Sequence, residues 1–169
     1  MSNIQSILAI GSIFLLSLVS LSFNGALLQS NTVEIENKVY LTAFSLADDM
    51  IEEIKEKGFD ETTLEFPTVD PTTLTPVALL GRDGETHPSE GYGPPYFDDI
   101  DDYNDYFYDA DAPHAEQYHI SVKVYYVSES DLKTESGTQT FYKRVDVTVS
   151  SPYLTNNKKV SLSFIFTHK

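Results

Sequence analysis

The chain has 169 residues, with 26 acidic and 11 basic side chains, a formal net charge of −15 and no cysteine. Without cysteine there is no disulfide framework, thiolate metal site or cysteine nucleophile. A negative excess of this size repels the phosphates of nucleic acid and of anionic lipids, so we expect no nucleic-acid partner. Among small partners, a cation matches the charge best.

The first 33 residues carry no charged side chain, and Glu34 is the first charged residue. Residues 7–28 are dominated by Leu, Ile, Phe, Val and Ala, and about 20 apolar residues suffice to cross a bilayer. A cleaved secretory signal would need a basic segment first, and Met-Ser-Asn-Ile-Gln-Ser has no Lys or Arg. We therefore predict that residues 1–33 form a hydrophobic helix, in a membrane or in a filament core, that stays in the mature protein.

Ser22, Ala26 and Ser30 form a line of small residues on this helix, spaced four residues apart. Such a line lets neighbouring helices approach closely. Serine is also tolerated in membrane helices without any contact role, so both interpretations stay open.

Residues 34–58 continue the helical pattern, but the pattern becomes amphipathic. Its apolar positions recur at helical spacing and are Val39, Ala43, Leu46, Met50 and Ile54. Lys55 and Lys57 suit the end of a helix and Gly58 suits the position after it, so we expect the helix to end at Lys57. This half of the helix is expected to pack on the C-terminal part of the chain.

Residues 59–117 are predicted to form a variable loop region, because Pro, Gly and Thr are frequent in its first part. Three segments with period-two alternation follow, at residues 118–127, 141–149 and 160–166. The sharpest turn signal between them is Asn156-Asn157. An antiparallel meander is the simplest topology for these strands.

The sheet predicted within residues 118–169 needs a cover for its apolar face. The amphipathic half of the helix is the long element that can supply it, so helix on sheet is the expected core. The predicted fold class is α+β: a long N-terminal helix packed on a small antiparallel sheet, with residues 34–169 as one globular domain.

Residues 97–111 combine many acids with aromatic residues. Calcium needs six to eight oxygen ligands, which closely spaced Asp and Asn can supply, although the Gly and Glu of an EF-hand loop are missing. The candidate ligands are Asp98, Asp99, Asp101, Asp102, Asn104 and Asp105. We favour a solvated acidic loop over a calcium site, with Tyr106, Phe107 and Tyr108 packed inward.

The sequence contains no catalytic motif that we can identify. His87, His114, His119 and His168 are scattered, and neither H-E-x-x-H nor G-x-S-x-G occurs. On a strand, His114 and His119 would point to opposite faces, so a shared metal is not expected. We predict that the protein is not an enzyme.

Taken together, the arrangement resembles a type IV pilin or pseudopilin, with a hydrophobic N-terminal helix, a small antiparallel sheet and a variable loop between them. Three segments, A-D-D-M-I-E-E-I at residues 47–54, G-F-D-E at 58–61 and F-D-D-I-D-D-Y-N at 97–104, resemble minor pilin-like proteins of mannose-sensitive haemagglutinin type pili. The resemblance implies a subunit held in the inner membrane by its helix. The pilus assembly machinery would then extract it and stack it with copies of itself or other pilins in a filament.

The resemblance also implies roles for the first residues. If Met1 is the first mature residue, Ile4 matches the family pattern and Gln5 stands where the family has a glutamate. Gln5 can hydrogen-bond the amino terminus but cannot pair with it ionically. If Met1 is the start codon, the subunit is unprocessed, whereas cleavage after Gly11 would put Leu16 at the fifth position.

We therefore expect a structural subunit of an extracellular, type IV pilus-like filament, major or minor, that is a single-pass protein of the cytoplasmic membrane before assembly. The expected assembly residues are Met1, Ile4, Gln5, Ser22, Ala26 and Ser30. The alternative is a monomeric, membrane-anchored extracytoplasmic protein whose acidic domain, residues 34–169, binds calcium or a protein partner.

Overall fold

The structure is a computed structural model that describes residues 3–65, 68–81, 96–113, 115–154 and 159–168. Its helices and strands are, in chain order, α1 (Asn3–Lys55), α2 (Glu61–Glu65), β1 (Phe107–Ala112), β2 (Ala115–Ser128), β3 (Asp131–Glu135), β4 (Tyr142–Ser150) and β5 (Lys159–Thr167). Short 3₁₀ turns lie at Pro71–Thr73, Val77–Leu79 and Asp101–Tyr103. The chain divides into two compact units, one up to Lys38 and one from Val39 onward.

The first unit consists of the N-terminal part of α1. Every described residue of this part is exposed except Glu36, which is half-buried. The globular domain expected from residue 34 onward stays a prediction, and the second compact unit begins at Val39. The division falls there because Val39 is the first fully buried residue of the helix.

In the second unit, the rest of α1 packs on the sheet through its apolar face. The buried residues of that face are Val39, Ala43, Ala47, Met50, Ile51 and Ile54. The predicted amphipathic half and its packing role are therefore confirmed.

The end of the helix differs from the prediction, because α1 ends at Lys55 and Gly58 does not cap it. The Gly58 backbone instead pairs with a later segment: its N–H donates to Asp98 O at 2.9 Å, and its carbonyl accepts from Ile100 N at 3.0 Å. A Cβ at Gly58 would lie 2.5 Å from the Leu64 side chain and 3.3 Å from Asp98 O. A side chain at Gly58 would therefore require the exposed Leu64 side chain to move.

The sheet has five antiparallel strands in the order β1-β2-β4-β5, with β3 pairing with the end of β2. The β2–β4 ladder runs from His119↔Ser150 to Tyr126↔Lys143. All three predicted strands and the meander order are confirmed, and β1 and β3 are additional. The predicted turn at Asn156-Asn157 lies outside the described residues.

The core lies between α1 and the inner face of the sheet. Alternate residues of β2 and β4 point into it and are buried, namely Tyr118, Ile120, Val122, Val124, Val145, Val147 and Val149. Val160 of β5 completes this face, while Leu162, Phe164 and Phe166 are half-buried at its margin. The α+β fold, with a helix on a sheet, is as the sequence predicts.

Candidate functional site

The apolar helix surface, which we define as residues 4–33 of α1, is the largest exposed hydrophobic feature of the described chain. Its large apolar residues are 46% to 70% exposed. They are Ile4, Ile7, Leu8, Ile10, Ile13, Phe14, Leu15, Leu16, Leu18, Val19, Leu21, Phe23, Leu27, Leu28 and Val33. They surround the helix on all sides, so this part has no polar face.

Several polar groups of this surface are already hydrogen-bonded within the helix. The hydroxyl of Ser12 donates to Ala9 O at 2.9 Å and that of Ser17 to Ile13 O at 2.9 Å. A helix also satisfies its own interior backbone groups, which is what entry into an apolar medium requires. By length and composition α1 qualifies to cross a membrane, a test that a signal sequence near the N terminus would also pass.

The predicted assembly residues lie on this surface as far as the structure describes them. Ile4 and Gln5 are exposed, and so are Ser22, Ala26 and Ser30. Met1 lies outside the described residues.

The acidic segment, residues 97–111, is solvated only in part, since Asp98, Asp105, Asp109 and Asp111 are exposed. Asp99, Asp101 and Asp102 are at most 3% exposed. Their carboxylates organise the turn: Asp99 Oδ1 accepts from the N–H groups of Asp101 (2.8 Å) and Asp102 (3.2 Å), and Asp102 Oδ2 accepts from Asp98 N at 3.1 Å. The prediction of a solvated loop is wrong for these three residues, because an acidic run can bury its carboxylates when backbone donors face them.

The aromatic residues of this segment pack as predicted, with one exception. Tyr103 is fully buried and donates to Glu53 Oε1 on α1 at 2.8 Å, while its ring meets Phe97 edge-on. Tyr106 and Tyr108 pack against the core. Phe107 does not point inward, since it is 65% exposed on the outer face of β1.

The six candidate calcium ligands are divided between the surface and internal contacts. Asp98 and Asp105 are exposed. Asn104 Oδ1 accepts from Val124 N at 3.0 Å, and its amide donates to Leu80 O at 3.2 Å. Within the described ranges, no three or more His, Asp and Glu side chains are arranged to hold a metal ion. Calcium binding stays a prediction.

Asp101 belongs to a buried charged cluster that we call the Lys143 cluster, comprising Lys143, Asp60, Asp99, Asp101 and Tyr126. Lys143 is fully buried, and its Nζ lies 2.5 Å from Asp101 Oδ1 and 2.8 Å from Asp60 Oδ2. It also donates to the carbonyl oxygen of Phe59 at 2.8 Å. This amine therefore ties together the segment after α1, the acidic turn and β4.

The pKa values of the carboxyls in the Lys143 cluster are shifted in opposite directions. Burial alone would raise the pKa of Asp60, but the charge and hydrogen bond of Lys143, with hydrogen bonds from Thr62 and Thr75, hold that pKa below its usual value. Burial raises the pKa of Asp99, and the nearby Asp101 adds to the rise. Burial also raises the pKa of Asp101 against the opposing effect of Lys143. One carboxyl is thus kept ionised while two are pushed towards the neutral form.

Sequence reasoning did not find this cluster. In β4 the inward register runs through Val145 and Val147, and two residues earlier it reaches Lys143. A lysine at an inward position of a half-buried strand was the signal that could have revealed a buried cation in need of acidic partners.

Of the histidines, two fall on described residues. His119 Nδ1 lies 2.8 Å from Asp109 Oδ1 on the outer face of the sheet, and the His168 ring packs against Phe59 and Phe141. His87 and His114 lie outside the described residues.

No family model, curated protein or solved structure matches this chain.

Proposed function

We propose that the protein is a structural subunit of a type IV pilus-like extracellular filament, as a major or minor pilin or pseudopilin. The observation that carries this proposal is the apolar helix surface, which is exposed in the single chain and free of charge up to Glu34. Soluble monomers rarely expose apolar patches larger than a few hundred Å². This surface therefore requires an apolar covering, from lipid first and then from the helices of neighbouring subunits.

The continuity of α1 supports a filament over a simple anchor. The helix passes without a break from its apolar part into the part that packs on the sheet, and the sequence has no proline before Pro67. A simple anchor does not need this, because a polar linker would serve it equally well. In a filament, the same helix would form the core while the acidic domain is displayed outside.

The proposed partners and locations follow from this role. Before assembly the protein would be a single-pass protein of the cytoplasmic membrane, and afterwards part of a cell-surface filament. Its partners would be copies of itself or other pilins, together with the pilus assembly machinery. The role is structural rather than catalytic.

The alternative is a monomeric, membrane-anchored extracytoplasmic protein whose acidic domain binds calcium or a protein partner. The length and apolar character of α1 favour this alternative as much as they favour membrane storage of a pilin. The two proposals differ in whether the protein ever leaves the membrane.

Shearing of intact cells, followed by separation of sheared material from membranes, tests the proposal. The filament role predicts the protein in both fractions. Recovery from the membrane fraction alone would contradict it and favour the anchored monomer.

Leu16→Lys and Leu16→Met provide a matched pair for the same experiment. Leu16 is 70% exposed on the apolar helix surface, and a lysine at the centre of an apolar helix costs about 2.5–3.5 kcal/mol on insertion scales. We expect Leu16→Lys to be lost from the sheared fraction and Leu16→Met to remain there. The amount of each variant in the membrane fraction separates failed assembly from failed insertion.

A further inference from the structure

The amine of Lys143 lies within bonding reach of a carboxyl group, in a position shielded from solvent. Lys143 and Asp60 are fully buried and Asp101 is 3% exposed. Lys143 Nζ donates to Asp101 Oδ1 at 2.5 Å. The two residues are 42 positions apart in the chain, so the fold itself brings them together.

Aromatic rings enclose this contact. Lys143 Nζ lies 4.8 Å from the centre of the Phe59 ring and 5.2 Å from that of Tyr126. Together with the Phe59 carbonyl, these rings hold the amine in place and exclude water from it. Fixed proximity of this kind replaces a bimolecular encounter and is worth many orders of magnitude in rate.

The two carboxyls that contact Lys143 are chemically distinct. Asp60 accepts hydrogen bonds from Thr62, Thr75 and Tyr126 as well as from Lys143, which stabilise it as a carboxylate, a poor electrophile. Burial raises the pKa of Asp101, which favours the neutral acid, the form that an amine can attack. Asp101 is therefore the better acyl group of the two.

Asp99 stands beside Asp101 as a proton carrier. Its Oδ1 accepts the Asp101 N–H at 2.8 Å, and the two side chains also interact with each other. Burial raises the pKa of Asp99, so its carboxyl holds a proton at neutral pH.

We propose that Lys143 and Asp101 become joined by an amide bond between Nζ and Cγ, formed inside the folded domain with the release of one water molecule. The ammonium first passes a proton to the Asp101 carboxylate, which gives a neutral amine and a neutral acid. The amine lone pair then forms the N–C bond, and the C–O bond to the hydroxyl breaks. Asp99 gives its proton to that hydroxyl, which leaves as water, and takes a proton from the nitrogen. Asp99 therefore ends the reaction in its starting form.

The balance of the reaction is one ammonium and one carboxylate converted to one amide and one water, with no oxidant or other reactant. The product is neutral, and the Asp60 carboxylate keeps its hydrogen bonds from Thr62, Thr75 and Tyr126. The bond links the acidic turn covalently to β4. This inference does not rest on the filament proposal.

Intact mass measurement of the purified full chain tests the amide. We expect the folded protein to be one water molecule lighter than its sequence, and Lys143→Arg and Asp101→Ala to have their full masses. Full mass in the unsubstituted protein would overturn the proposal. A loss of water that persists in Lys143→Arg would also overturn it, because it would report a succinimide elsewhere.

Peptide mapping locates the bond in the unsubstituted protein and does not depend on any variant folding. An amide at Lys143 blocks trypsin there, so we expect a branched peptide that joins residues 83–123 to residues 134–144. Fragmentation must place the branch at Asp101. A branch at Asp60, or two separate linear peptides, would refute the assignment.

Asp99→Asn tests the proton relay, because asparagine keeps the oxygen that accepts the Asp101 N–H but has no acidic proton. We expect this variant to fold, as judged by its circular dichroism, and to keep its full mass, while Asp99→Glu recovers the loss of water. Complete amide formation in Asp99→Asn would remove Asp99 from the mechanism.

Discussion

At the residue scale, Lys143 links more separate segments than its position in a strand suggests. It contacts the carbonyl of Phe59, the carboxylate of Asp60 and the carboxyl of Asp101. The side chains of Lys143, Asp60 and Asp101 are buried from solvent. A buried charge needs such partners, since an unpaired one costs several kcal/mol. The geometry of the acidic turn therefore depends on a residue more than forty positions away.

Lys143→Met should destabilise the domain strongly. It leaves the buried Asp60 carboxylate without the hydrogen bond that the Lys143 nitrogen donates, and removal of one partner of a buried charged pair costs roughly 3–5 kcal/mol. Thermal unfolding of the detergent-solubilised full chain, followed by the circular dichroism of its tyrosines, measures the change. Lys123→Met is the control, because the Lys123–Glu135 pair is half-exposed and is worth about 1 kcal/mol or less. Equal losses in the two variants would contradict the structural role of Lys143.

The stability of the domain should decrease as the pH rises above the ordinary titration range of Asp. Burial, followed by the effect of Asp101, raises the pKa of Asp99 in the folded state, so the folded chain binds a proton that the unfolded chain releases. This contribution is complete below the unfolded pKa and is lost as the pH rises through the folded one. We expect the melting temperature to fall from about pH 5 to about pH 8, and Asp99→Asn to reduce the slope. Parallel slopes for the two proteins would argue against a raised Asp99 pKa.

At the scale of elements, the helix and the three long strands were predictable because their patterns are strong. The stripe through Val39 and Ile54 follows the helical period, and β2, β4 and β5 alternate apolar with polar residues. β1 was missed because its alternation lies within an acidic run, and β3 because all five of its residues are exposed. The buried carboxylates were missed because hydrogen bonds within a turn leave no periodic signal.

The packing of α1 on the sheet can be tested by one substitution on each side of the helix. Ile54 is fully buried, so Ile54→Ala should leave a cavity and cost about 2–5 kcal/mol of unfolding free energy. Leu41→Ala is the control, since Leu41 is 64% exposed, and should change the free energy by about 0.5 kcal/mol or less. Both variants are compared in detergent by urea unfolding. A larger loss from Leu41→Ala would mean that the helix packs through the other face.

At the scale of the whole molecule, the charge of −15 belongs entirely to Glu34 and later residues. Stacked subunits would therefore repel one another, and assembly must overcome this through the uncharged helix. The apolar helix surface was predictable from composition alone, because it needs no tertiary contact to be apolar. The partner that covers this surface was not predictable, because exposed leucines suit lipid and neighbouring helices equally well.

Assembly should depend on ionic strength. Salt at about 0.15 M shortens the range of electrostatic repulsion to about 8 Å, and divalent cations screen it further. We expect more and longer fibres when sodium chloride or magnesium is raised, measured by sedimentation of sheared material. A yield that falls with salt would show that attraction between charged groups, rather than apolar burial, holds the subunits together.

Electron microscopy of sheared cell-surface material tests the filament role most directly. The material is labelled with an antibody against the acidic domain, and mass spectrometry identifies the N terminus of the protein in it. The account predicts label along thin fibres and a subunit that retains its apolar helix in them. Label confined to membrane fragments, or a chain that has lost residues 1–33, would contradict it.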